Sequence, residues 1–165
     1  MQLKLTEVVA HLQYRVFDNK VFVEMLRNAP KEKAVIWYPA EDVEAFSLAS
    51  QIATWVGRGM GSDSAGWEVI GFGPIPKNFG PPSAAHLPMS IRFGVGMLII
   101  SSPRSNELFS KNPTTAPLGN LGDALLKATG NQEQYGMSLL VDPAMKDDEF
   151  IIIVGQKPYE EFKKR

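Results

Sequence analysis

A chain of 165 residues, 44% hydrophobic and 21% charged, is long enough for one ordinary hydrophobic core and is neither disordered nor fibrous in composition. Its net charge of −1 argues against nucleic-acid binding, which needs a clustered basic face. The absence of cysteine excludes disulfides, thiolate nucleophiles and cysteine-based zinc or iron–sulfur centres.

No apolar run approaches the roughly 20 residues that cross a bilayer. Residues 1–7 lack the charged-then-apolar layout of a signal peptide. As given, the chain reads as soluble, whether it is whole or a fragment of something longer.

Residues 6–27 are helical in pattern, with Leu5, Val9, Leu12, Val16, Val23 and Leu26 near one face. Thr6 is placed to cap the first turn. Asp18-Asn19 interrupts the pattern, and Asp18 can restart it as a new N-cap, giving two short helices or one bent one. This N-terminal helical segment, residues 1–30, either packs on the sheet or makes a dimer contact. Pro30 ends it, because proline disfavours helix in the residue before it.

The organising unit is a strand, helix and strand spanning residues 34–72. Residues 34–38 are apolar throughout, as in a parallel strand buried on both faces. Asp42 is the N-cap of the next helix, and Glu44 adds favourable charge in its first turn. Along residues 44–56, Ala45, Ala49, Ile52 and Val56 line one face, joined by Phe46, Leu48 and Trp55. Gly57, Gly59 and Gly61 then stop the helix. A second strand covers residues 67–72, and the crossover between the two is expected to be right-handed.

Residues 73–88 form a long segment punctuated by Pro74, Pro76, Pro81, Pro82 and Pro88. Phe79 and His86 are its large ring side chains. Long loops on a rigid scaffold commonly carry binding residues. Lys77, Phe79 and His86 are therefore the candidate partner-binding residues. The alternative is that Phe79 folds back on the protein's own surface. A third strand follows at residues 97–100, then a polar loop at 104–117, a helix at 118–129, a strand at 137–141, a polar turn at 142–149 and a strand at 150–154. Residues 159–165 suggest a frayed final helix.

The glycines of residues 57–61 follow a helix rather than precede one, so they lack the free N–H groups of a phosphate-binding loop. The sequence contains no Gly-x-x-x-x-Gly-Lys, Gly-x-Gly-x-x-Gly, Gly-x-Ser-x-Gly or His-Glu-x-x-His. His11 and His86 lie in unrelated segments, and no carboxylate spacing joins them into a metal site. The acidic cluster Asp147-Asp148-Glu149 reads as a solvated turn, with weak calcium binding as the alternative. No catalytic residue, cofactor or metal ligand is assigned.

Val35-Ile36-Trp37-Tyr38, Asp42-x-Glu44-Ala45, Ala49-x-Gln51-Ile52 and Ala65-Gly66-Trp67-x-Val69 together resemble the soluble domains of uncharacterised bacterial membrane-anchored proteins. The closing Ile152-Ile153-Val154-Gly155-x-Lys157-Pro158 is similar to their C-terminal end. In strand–helix rhythm the chain also resembles the C-terminal accessory domain of LytR-type cell-envelope proteins. The resemblance implies a soluble domain whose membrane attachment comes from residues outside this chain. It supplies no catalytic residue.

The expected fold is one α/β domain, a sandwich with a mixed sheet of about five strands flanked by helices. A ferredoxin-like βαββαβ arrangement is the alternative. The expected function is a non-enzymatic binding or sensory module for a protein or small ligand. Competing readings are a small enzyme with His86 as general base, and an assembly domain, possible as a homodimer, acting through the N-terminal helix.

Overall fold

The computed structural model describes residues 14–77, 96–130 and 137–157. The first helix, α1 (Asn19–Leu26), starts where Asp18 accepts a hydrogen bond from the Val21 N–H, as the Asp18-Asn19 break suggested. Strand β1 (Lys33–Tyr38) leads to α2 (Val43–Val56), and a 3-10 turn (Gly61–Asp63) leads to β2 (Glu68–Pro74). Strand β3 (Met97–Ser101) is followed by two helices, α3 (Pro103–Lys111) and α4 (Pro117–Ala128). Strands β4 (Met137–Val141) and β5 (Glu149–Val154) complete the described elements.

The five strands form one mixed sheet in the order β2-β1-β5-β3-β4. Strand β1 runs parallel to both β2 and β5, β3 runs parallel to β4, and β3 meets β5 antiparallel. Two parallel crossover units, β1-α2-β2 and β3-α3-α4-β4, thus lie side by side and point in opposite directions. Strand β5 sits between them. The three parallel pairings exclude the ferredoxin-like alternative and agree with the mixed α/β sheet expected from the apolar strands.

One core unites the described helices with one face of the sheet. Phe22, Val23 and Leu26 of α1, Ala45, Leu48, Ala49, Ile52 and Val56 of α2, and Leu118, Leu121, Ala124, Leu125 and Ala128 of α4 meet the alternate strand residues Ala34, Ile36, Met97, Ile99, Phe150, Ile152 and Val154. Two alanines on the inner face of α2 let that helix lie close to the strands beneath it. On the other face, Leu98, Ile100 and Ile153 form a second cluster with Trp37, Ile75, Leu140 and Ile151. Among the described residues, none from a helix joins it.

Three expectations need correction. Residues 104–117 are not loop throughout, because α3 occupies Pro103–Lys111. Ser102 caps it by accepting the Ser105 N–H at 3.0 Å, and Pro103 fills the first helical position, where a missing N–H costs nothing. Val16 does not belong to a buried stripe: it is 57% exposed, because residues 14–18 are not helical. Phe46 is not core either, at 44% exposure, because it lies about 100° around the helix from Ala45. Residues 6–13 of the expected helical segment, the final helix at 159–165, and Phe79 and His86 all lie outside the described residues, whereas residues 14–18 are not helical.

Candidate functional site

The carboxyl ends of β1 and β2 and the amino end of α2 converge at one corner of the sheet. This position follows from local chemistry. Pro39 and Ala40 carry the chain off β1, and the Asp42 carboxylate accepts the Ala45 N–H at 2.9 Å to start α2. The helix therefore begins directly beside Tyr38, the last residue of β1.

Tyr38 packs against Phe46 of α2 with ring centroids 5.1 Å apart and planes at 72°. It also packs against Phe72 of β2 at 5.4 Å and 44°. Phe46 and Phe72 close the triangle at 6.2 Å. Such tilted and edge-on pairs are the favoured geometries for aromatic rings.

A β-bulge puts Phe72 in this cluster. Ala34 pairs with Val69, but Val35 pairs with Gly71, so Ile70 is the extra residue. The shift places Phe72 opposite Ile36, on the helix side of the sheet. In an unbroken register Phe72 would stand opposite Trp37 and point to the other face, because side chains alternate along a strand. Gly71 accommodates the bulge closely: a Cβ there would lie 3.3 Å from Val35 Cγ1. Strand β2 is also the outer strand of the sheet. Its bulge and terminal Pro74 blunt that edge against pairing with another strand.

The cluster borders a surface recess of about 320 Å³ lined by Tyr38, Ala40, Glu41, Asp42, Val43 and Phe46. Phe46 and Phe72 are 44% and 43% exposed, and Val43 is 65% exposed, although the core directly beneath them is sealed. On the other flank of α2, the buried Arg15 guanidinium grips Glu44. Its Nη2 donates to Glu44 Oε1 at 2.7 Å and to the Gly155 carbonyl at 2.5 Å. The Arg15 backbone N–H also donates to Glu44 Oε2 at 2.8 Å. Glu44 stands in the first turn of α2, as expected, and it also holds this ion pair. The amino end of α2 is thereby fixed to the carboxyl end of β5.

Lys77 is exposed. The segment that carries it leaves the sheet at this same corner, where the Ile75 N–H donates to the Tyr38 carbonyl at 2.9 Å. The structure thus brings the start of the proline-rich segment beside the aromatic cluster. Sequence reading missed the cluster itself, having assigned Tyr38 and Phe72 to strands and Phe46 to the core. The available signal was Phe46 standing off the Ala45-Ala49-Ile52-Val56 stripe.

The buried serines and the acidic turn have internal partners. Ser102 and Ser105 are buried at the end of β3, but Ser102 Oγ accepts the Ser105 N–H and the Ser105 hydroxyl donates to the Asp147 carbonyl at 3.0 Å. In the acidic turn, Asp148 pairs with Lys33 at 3.5 Å. Among the described residues, no group of three or more His, Asp or Glu side chains is placed to hold a metal ion. The Trp67 indole N–H is buried without an acceptor among the described residues, its ring packed against Phe150 at 5.9 Å.

Comparison of the chain with protein families, with curated proteins and with solved structures finds no match.

Proposed function

We propose that this chain is a non-enzymatic binding module whose recognition surface is the corner formed by Tyr38, Val43, Phe46 and Phe72. One observation carries the reading: two phenylalanines remain more than two-fifths exposed beside a recess, above a core whose aliphatic residues are sealed. Aromatic side chains held at a surface supply large contact area, and Phe, Tyr and Trp are enriched at interfaces. Carboxyl ends of parallel strands are also the usual place for ligands in α/β sheets.

The sequence likeness to membrane-anchored proteins supports a soluble module carried by a membrane protein. Among the described residues, no helix is long and apolar enough to cross a membrane.

The direct test is a fragment screen by two-dimensional amide NMR on the isotope-labelled chain. The reading expects hits whose shift changes converge on Val43, Phe46 and Phe72. Hits that converge on another surface, or a screen without hits, refute it.

A further inference from the structure

We infer that the ligand of this corner is a peptide segment that presents an apolar or aromatic side chain next to a basic residue. The inference rests on the binding reading above and adds the chemistry of the partner. Two kinds of side chain line the recess: the apolar wall of Tyr38, Val43 and Phe46, and the carboxylates of Glu41 and Asp42. No cation lines it. Lys77, the exposed cation that follows β2, is not among its lining residues, and Arg15 is committed to Glu44 on the far flank of α2.

The two carboxylates differ in their commitments. Asp42 spends one oxygen, Oδ1, on capping α2. Glu41 is exposed and makes no hydrogen bond or ion pair with a described residue. The amino end of α2 contributes the equivalent of about +0.5 charge, which the two carboxylates outweigh. The corner therefore carries net negative charge against aromatic faces. A basic side chain gains there twice, by charge and by its attraction to a ring face. An acidic segment is repelled, and an uncharged one gains only the apolar contact.

A peptide is favoured over a compact small molecule by the shape of the surface. Phe72 lies outside the recess lining but extends its apolar wall through contact with Tyr38 and Phe46. An occupant that fills the recess and also covers Phe72 must be elongated.

The experiment uses three capped pentapeptides that share a central phenylalanine and differ only in its neighbours: lysine, glutamine or glutamate. Each is titrated into the full chain at low ionic strength and followed by amide NMR, with Phe46→Ser and Glu41→Lys as variants. Both substituted residues are exposed, so both variants should fold. The inference expects the lysine peptide to bind at least tenfold tighter than the glutamine peptide, and the glutamate peptide more weakly still. Glu41→Lys should erase that preference, and Phe46→Ser should weaken all binding. If the lysine and glutamine peptides bind alike but depend on Phe46, the partner chemistry is wrong and the binding reading stands. If no peptide binds, the partner chemistry is wrong and the fragment screen decides the binding reading; if binding ignores Phe46, both fail.

Discussion

Arg15 and Glu44 form an ion pair in which the guanidinium side chain is fully buried and the carboxylate is 14% exposed. Two nitrogens of Arg15 and its own backbone N–H all donate to the same carboxylate. Removing one partner of a buried pair leaves an uncompensated charge, so Glu44→Ala should cost about 3–5 kcal/mol. The double variant Arg15→Met/Glu44→Leu should recover much of that loss, because apolar residues of similar size need no solvation. Urea midpoints for the two single variants and the double variant check this. Additive losses would show that the pair is not a coupled unit.

Two glycines of α4 should respond to alanine with opposite signs. At Gly119 a Cβ would sit 1.9 Å from the Pro113 carbonyl oxygen, so the backbone has to move. Gly119→Ala should therefore destabilise by about 1–3 kcal/mol or more, the range for overpacking. At Gly122 a Cβ meets nothing within 4 Å. There, Gly122→Ala should stabilise by about 0.5–1 kcal/mol through helix propensity. Thermal melts of both variants decide it; a shared sign would mean that the contact between α4 and the Pro113 turn is misplaced.

The partial burial of Glu32 gives the fold a pH dependence. Partial burial, and after it the neighbouring Asp148 carboxylate, push its carboxyl above the ordinary value. The fold thus holds the protonated form better than the unfolded chain does. The favourable contribution is complete below the ordinary carboxylate range of about pH 4 to 5, and it is lost as the pH rises through the raised value. Glu32→Gln should accordingly be more stable than the parent at pH 7, with the difference closing toward pH 4. A difference that stays constant across that range would contradict the assignment.

Much of the scaffold was legible because its signals were local. Asp18 and Asp42 announced helix starts, and both side chains accept the expected N–H. The strands at 137–141 and 150–154 stood out as apolar runs between turns. Helix α3 was missed because its nine residues are mostly polar, leaving Ser102-Pro103 as its main sequence mark. The aromatic corner was missed for a different reason. Its assembly depends on a one-residue slip between β1 and β2 at Ile70, which turns Phe72 to the helix side. Register is set by the pairing of two distant segments, and no periodicity within β2 reveals it. Arg15–Glu44 joins residues 29 positions apart. Lys77, the candidate site residue within the described part of the chain, is exposed two residues beyond Ile75, whose N–H donates to the Tyr38 carbonyl.

The central claim is that Phe46 and Phe72 are kept exposed for recognition and not for stability. The most direct measurement is peptide selection from a random display library on the parent chain, with the Phe46→Ser/Phe72→Ser variant as counter-target and a melting curve for both proteins. The account predicts clones that bind the parent and lose at least tenfold on the variant, while the variant still melts in one cooperative transition. Clones that bind both proteins alike, or a variant without that transition, would contradict it.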